Sequence, residues 1–540
     1  MKKLLCAILS AAMLCGCTAA PAGTTPPEST AGGESVSWTL EKGGLEIRVP
    51  DGMAENAITA ANDIIYYEAG HDESYGEGAE TEAHTAEEAA AHTVVHINAP
   101  GTYVLSGKLE LGQIAVDLGE DAKNDPSAVV TLILDGLDIT CRVAPAIIFY
   151  NVYECGDPEN PQANVDTSAA GANVILAEGS ENRVVGSHVA KIYKPGTDKK
   201  LHKYDGAFYS KMSMNVGGEG SLRIEADNEG LDSEMHLTIN SGEIYIESGN
   251  DGINTNEDGV SVTTVNGGKL WIAVNGGTGE GDGIDSNGWL VINGGRVEAY
   301  ACGFSGDCGI DSDMGIRING GTVIATGNML DRIEDNSQTH LVFTFAQRQD
   351  VRSVTLKDSW GSTVLECQTP SAFQYLILSS PALTEGTYTL WSGEKQYEGQ
   401  TGTGGGFGGG FGGGFGGGFI GGGQPIDRPD WPGKGEGGDV EIPPQPTVPL
   451  EIQGMEPPQG GEMPENMPVP QFPQGGEGQM PMPSIPEGGG DMPMPELPAG
   501  VTPPQGGMQQ PVQVITGVLS TDFAVVQGAN YFTNVRTVTE

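Results

Sequence analysis

Asn240-Ser241-Gly242-Glu243-Ile244-Tyr245-Ile246, Asn266-Gly267-Gly268-Lys269-Leu270-Trp271-Ile272, Asn293-Gly294-Gly295-Arg296-Val297-Glu298-Ala299 and Asn319-Gly320-Gly321-Thr322-Val323-Ile324-Ala325 are copies of one phrase. Their first residues, at positions 240, 266, 293 and 319, lie 26, 27 and 26 residues apart. A fixed period of this kind marks a chain that stacks one supersecondary unit on the next. After each turn the residues alternate. Ile244/Ile246, Leu270/Ile272, Val297/Ala299 and Val323/Ala325 share one parity, and Glu243/Tyr245, Lys269/Trp271, Arg296/Glu298 and Thr322/Ile324 share the other. Period two is a strand with one buried face. Stacked, the first set forms an interior aliphatic ladder and the second forms outer stripes, about 4.8 Å apart between rungs.

A second series lies upstream of each copy: Gly230-Leu231-Asp232-Ser233, Gly252-Ile253-Asn254-Thr255, Gly283-Ile284-Asp285-Ser286 and Gly309-Ile310-Asp311-Ser312, with Asp205-Gly206-Ala207-Phe208-Tyr209-Ser210 as an earlier divergent copy. Each repeat therefore holds about three short strands. The Leu-x-x-Leu-x-Leu spacing of a leucine-rich horseshoe is missing, as is any helical segment. The pattern predicts an all-β chain, a right-handed parallel β-helix (solenoid) over 101–330 with a small C-terminal antiparallel β-domain.

Upstream, 38–100 reads as an N-terminal cap, with a strand at Leu45–Val49 and an Ala-rich acidic piece around Glu87–Ala91. Beyond Leu330 the period stops. Leu341–Ala346, Ser353–Leu356, Ser362–Glu366, Tyr375–Ser379 and Thr387–Trp391 read as antiparallel strands, and strand pattern returns in 512–540 to complete the same small domain. Between them, 401–511 collapses into Gly-Gly-Gly-Phe repeats and Pro/Met/Gly text, a composition that buries no core and predicts a disordered insertion.

The N-terminus carries Lys2 and Lys3, an apolar run from Leu4 to Leu14, and then Gly16-Cys17. This is the layout of an export signal over 1–17, with Cys17 as the lipidated residue of a lipoprotein and 18–37 as a flexible tether. It predicts a protein at the extracellular face of the cell membrane, held by its lipid. Twenty-six basic against 72 acidic residues give a net charge of −46, which argues against nucleic acid as a partner. Past the leader and Cys17, Cys141, Cys155, Cys302, Cys308 and Cys367 remain; 141 with 155 and 302 with 308 are possible pairs, equally readable as buried thiols.

In a parallel stack Asp232, Asn254, Asp285 and Asp311 become a ladder, with Asp251, Asp282 and Asp307 close by. Carboxylates at rung spacing repel unless neutralised, and carboxylate with amide oxygen suits calcium. Turns closed by Asx side chains are the other reading of the same residues. On the outer face Tyr245 and Trp271 share one repeat position and Lys269 and Arg296 another, a pairing of aromatic faces for sugar rings with cations for uronates. Trp289 and Tyr300 are weaker candidates.

Gly101-Thr102-Tyr103-Val104-Leu105-Ser106-Gly107, Leu134-Asp135-Gly136-Leu137-Asp138-Ile139-Thr140, Asp205–Lys211 and the Asp-Gly-Ile-Asp/Asn rungs resemble a clostridial family of surface β-helix lipoproteins. The resemblance runs over roughly 101–393. It implies a polysaccharide-lyase-like solenoid that holds calcium and binds cellulose and pectic acid sugars. The family's paired aspartates after the Tyr-Ser-Lys motif are replaced here by Met212-Ser213, which puts one inherited cation site in doubt. The expectation is a non-catalytic carbohydrate-binding lipoprotein. A calcium-dependent pectate lyase is the runner-up, for which Lys211, Lys269, Arg296 and Arg317 are the available bases, none in a catalytic motif. A structural adhesin or spacer is the third reading.

Overall fold

A computed structural model describes residues 35–40, 44–50, 56–67, 83–189, 204–402 and 518–538. The expected leader, Cys17, most of the tether and insertion residues 403–511 lie outside them. Among the described residues, the only α-helix is Ala86–Ala91. It is closed by a capping box, in which Thr85 Oγ1 accepts from the Glu88 N–H (3.1 Å) and Glu88 Oε2 accepts from the Thr85 N–H (2.9 Å). Nearly all other regular structure is strand.

The repeats form three parallel ladders. One runs through Gly206–Ser210, Glu229–Ser233, Ile253–Thr255 and Ile284–Ser286. A second links Ala172–Leu176, Met214–Gly218, Leu237–Ile239, Val262–Val265, Trp289–Ile292 and Gly315–Ile318. The third links Glu181–Gly186, Ser221–Ala226, Glu243–Ser248, Lys269–Val274, Arg296–Tyr300 and Thr322–Gly327. Successive strands visit the ladders in turn, so each repeat contributes one strand to each.

The register keeps like against like. Ile244, Leu270, Val297 and Val323 oppose one another, as do Ile246, Ile272, Ala299 and Ala325, and none is more than 1% exposed. They share one core with Ile253, Ile284 and Ile310 of the first ladder and Ile239, Val265, Ile292 and Ile318 of the second. Each such isoleucine, leucine or valine contributes about 1.5–3 kcal/mol by leaving water. The turn asparagines also stack: Asn266 Nδ2 donates to Asn240 Oδ1 (2.9 Å), Asn293 to Asn266 and Asn319 to Asn293 (2.8 Å each). Gly268 turns with φ +81°, and a Cβ there would lie 2.5 Å from the Gly242 carbonyl oxygen, so the close approach of rungs demands glycine.

The parallel pairing starts earlier than expected. Thr93–Ile97, inside the stretch read as a cap, already pairs in parallel with Gly112–Asp117. Ser35–Thr39 forms a strand where the tether was expected to continue, pairing with Glu46–Pro50, which in turn pairs with Gly101–Leu109. Leu45 and Ile47, fully buried, fasten this hairpin to the core.

At the other end Thr322–Gly327 pairs antiparallel with Phe373–Ser379, and that strand with His340–Gln349. Ser353–Asp358, Thr363–Gln368, Gly386–Ser392 and Phe523–Val525 form a further antiparallel group. Ala529–Thr537 pairs antiparallel with Lys395–Thr401 but parallel with His340–Gln349, which the antiparallel expectation did not include. Strands far apart in sequence are free to run parallel because no tight turn links them. This layer has its own core, where Phe343 stacks on Phe532 with centroids 5.1 Å apart.

Ile272→Ala should cost about 2–5 kcal/mol, because neighbours held by rungs on both sides cannot collapse into the space. Thermal unfolding checks this; a loss below about 1 kcal/mol would mean the aliphatic ladder is not tightly packed.

Candidate functional site

The first ladder changes character along its length. One row, on the parity opposite Ile253 and Ile284, reads Ile148, Tyr209, Asp232, Asn254, Asp285. Asp311 follows, because Ile284 bridges to Ile310. The expected ladder is therefore in register. The glycine before each of these strands permits the sharp approach: a Cβ on Gly252 would meet Ile272 Cγ2 at 2.0 Å, and one on Gly283 the Gly309 oxygen at 2.3 Å.

Asp282, Asp285 and Asp311 each bring a carboxylate oxygen to within 4.8 Å of the others. Asp251 and Asn254 join them: Asn254 Nδ2 donates to Asp251 Oδ2 (3.5 Å) and to Glu229 Oε1 (3.2 Å). Asn254 is 7% exposed, and its Oδ1 is buried without a hydrogen-bond donor. Asp232 stands in the row, but its Oδ1 accepts from Asn256 Nδ2 (2.6 Å). One oxygen of Asp251 and one of Asp282 each tie a rung to the next, accepting from the Asp282 N–H (2.7 Å) and the Cys308 N–H (2.5 Å) respectively, so neither bond is the local turn closure of the alternative reading.

The position before the motif glycine is Glu229, Asp251, Asp282 and then Cys308, not Asp307. Asp307 instead accepts from the Gly281 N–H (2.8 Å). Glu229 was readable from that motif position and was missed because glutamate stands there instead of aspartate. Burial, reinforced by Asp285 and Glu229, pushes the Asp251 carboxyl well above the usual range. Burial and then Asp251 and Asp311 do the same to Asp282. Asp331, which sequence reasoning also missed, is pushed up to about 7 by burial and Asp311. Converging carboxylate oxygens such as those of Asp282, Asp285 and Asp311 can hold a hard cation, whose oxygen ligands at about 2.3–2.6 Å lie within roughly 5 Å of one another. All of Cys141, Cys155, Cys302, Cys308 and Cys367 are free thiols.

The expected carbohydrate residues lie on the third ladder. Tyr245 opposes Trp271, and Lys269 opposes Arg296. Tyr245 is 36% exposed. Trp271 is half-buried against the C-terminal core and meets Tyr300 edge-on at 6.1 Å. Lys269 Nζ is paired with Glu243 (2.5 Å). Arg296 is paired with Glu298 (2.6 Å), and its Nη2 donates to the Glu366 carbonyl (3.3 Å), tying it to the C-terminal layer. Tyr300 is fully buried, donating to Glu298 (2.6 Å), and Trp289 sits on the second ladder. Arg183 and Arg223 precede Tyr245 in the same row. They escaped the sequence reading because their rungs precede the regular period.

Residues 91–341 match the model of a family described as carbohydrate-binding domain-containing protein. That stretch spans the parallel ladders from Thr93 onward and contains both the acidic cluster and the Tyr245 row. A carbohydrate-binding domain-containing protein of Acetivibrio thermocellus is 28% identical over 156 residues, 28% of this chain and 45% of that protein, so the chain spans less than half of that relative's length. A solved structure described as the polysaccharide lyase-like protein from C. thermocellum, a gadolinium derivative, is 22% identical over 43% of this chain and 80% of its own, with a TM-score of 0.31.

Because the folded pKa values of Asp251, Asp282 and Asp331 are raised, the folded chain holds protons that the unfolded chain releases. Without a cation, stability should fall as pH rises from the ordinary carboxylate range through about 7. The buried histidines His92, His236 and His340 have lowered values and act oppositely, losing stability as pH falls below about 6.5. The comparison therefore belongs between about pH 6.5 and 8.5. In EGTA the unfolding temperature should drop across that window, and calcium should restore it more at the upper end, since the ion replaces the protons. A midpoint in EGTA that rises with pH would contradict the cluster's repulsion.

Proposed function

We propose that this chain is a non-catalytic cell-surface lipoprotein that binds plant-type polysaccharide, pectic acid sugars and cellulose, with calcium. In this reading the three ladders are the faces of a right-handed parallel β-helix. The match of residues 91–341 to a carbohydrate-binding family carries the carbohydrate part. The calcium part is supported by Asn254 Oδ1, a buried acceptor without a donor beside a cluster of carboxylates. Asp282, Asp285 and Asp311 would hold the ion with Asn254, Asp251 would complete the shell, and Asp232 would extend the acidic row. Tyr245, partly exposed on the outer strand face, offers its ring to a sugar, with the half-buried Trp271 one rung away and Lys269 and Arg296 at the flank. An exposed ion pair such as Lys269–Glu243 is screened by water and exchanges readily for a ligand carboxylate.

Co-sedimentation with polygalacturonate and with cellulose, with and without calcium, tests this while absorbance follows unsaturated uronate. Calcium-dependent binding without product is expected, and Tyr245→Ala should weaken it about tenfold, or ~1.4 kcal/mol. Accumulating product would make the chain a lyase; binding to neither polymer would favour the spacer. The anchor rests on Lys2, Lys3, the apolar run and Cys17. Cells fed a labelled fatty acid should label the protein, and Cys17→Ser should abolish the label; label persisting in that variant would contradict lipidation there.

A further inference from the structure

The third ladder continues past Tyr245 into a region that the repeats do not reach. Lys108, Asp138, Arg183, Arg223, Tyr245 and Trp271 oppose one another in sequence from rung to rung, making one straight row on the outer face. At its Lys108–Arg183 end opens a groove of about 920 Å³, walled by the ends of these strands and the turns that follow them. That volume is in the range of small-ligand sites, about 300–1,000 Å³. Its charged lining is Lys108, Arg142 and Arg183 against Glu110, Glu225 and Asp227.

These charges are equal in number but unevenly paired. Lys108 lies between Glu110 (3.2 Å) and Asp138 (3.4 Å), and Arg183 between Asp138 (3.3 Å) and Glu225 (2.9 Å). Asp227 accepts from Ser187 Oγ (2.6 Å) and lies 3.3 Å from His188 Nδ1. Arg142 differs. Its backbone N–H donates to His92 Nε2 (3.2 Å), and His92 is held in turn by the Glu88 carbonyl at 2.7 Å, which fixes the residue at the rim. Its exposed guanidinium makes no ion pair or hydrogen bond among the described residues. In a chain of net charge −46, an anchored arginine without a carboxylate partner beside two exchangeable cation pairs is a place for an anion.

We propose that this groove is the subsite for a uronate residue of an acidic polysaccharide, with Arg142 as the receiving fork and Arg183 and Lys108 beside it. The inference rests on the carbohydrate-binding reading but is independent of the calcium cluster. A uronate carries one negative charge, matching the one unpaired guanidinium. The polymer then runs along the row, its charged sugars at the Arg142–Arg183 end and a ring face on Tyr245. The planar arginine fork meets a carboxylate through two parallel hydrogen bonds.

The test measures binding of the full chain to polygalacturonate and to a soluble cello-oligosaccharide at one fixed, saturating calcium concentration, so that any calcium bridge is common to every variant. Arg142→Gln should weaken polygalacturonate binding at least fivefold and flatten its salt dependence, leaving the neutral glucan unaffected. Glu110→Gln, which removes a competing carboxylate from Lys108, should strengthen polygalacturonate binding, a direction that misfolding does not produce. Wild-type affinity for polygalacturonate in Arg142→Gln would overturn the assignment. Binding of the neutral glucan alone by the unmodified chain would also overturn it while leaving the carbohydrate-binding reading intact, and binding of neither polymer would remove both.

Discussion

In a parallel ladder held in register, every side chain meets the residue at its own position one rung away, about 4.8 Å distant. What stands at a position therefore has to be compatible with its own kind. Isoleucine satisfies this, as Ile246 on Ile272 shows, because apolar surfaces gain by contact. Asparagine satisfies it as well, since its amide both donates and accepts, and Asn240, Asn266, Asn293 and Asn319 form an unbroken chain of hydrogen bonds. Aspartate does not, because a carboxylate only accepts. The same rule that makes the core and the turn self-supporting turns Asp285 over Asp311 into a charge problem.

That problem is partly solved within the chain. Asn254 interrupts the acids between Asp232 and Asp285, Asn256 engages Asp232, and backbone N–H groups take one oxygen each from Asp251 and Asp282. The oxygens left over still converge, and Asn254 Oδ1 faces no donor. A protein that merely needed those rung-to-rung hydrogen bonds would be served by asparagine, whose amide oxygen accepts as well, as it does along the turn ladder. Retaining buried carboxylates costs stability unless a cation is present, which is the physical ground for reading the row as functional.

Much of this was legible. The 26-residue spacing and the parity of Ile244, Leu270, Val297 and Val323 give the stacking and the core face, and the Gly-Ile-Asp phrase gives the acidic row. The environment of the outer stripe was not legible. Trp271 and Arg296 look equivalent to Tyr245 and Lys269 by position, yet they lie against the C-terminal layer, whose Phe343, Phe373 and Phe532 come from segments with no repeat to align. The early strands at Ser35–Thr39 and Thr93–Ile97 were missed for a similar reason: short runs at the end of a stack lack a second copy to reveal their period. Arg142 escaped because its role depends on a turn packed against His92, a contact that no local pattern encodes.

The most direct test of the acidic row is a crystal structure of the protein grown with calcium, read through the anomalous signal of the ion. A peak ligated by Asp282, Asp285 and Asp311 at about 2.3–2.6 Å, with Asn254 Oδ1 turned toward it, is the expected result. Carboxylates there that hydrogen-bond to one another as acids, with no peak between them at saturating calcium, would contradict the central claim.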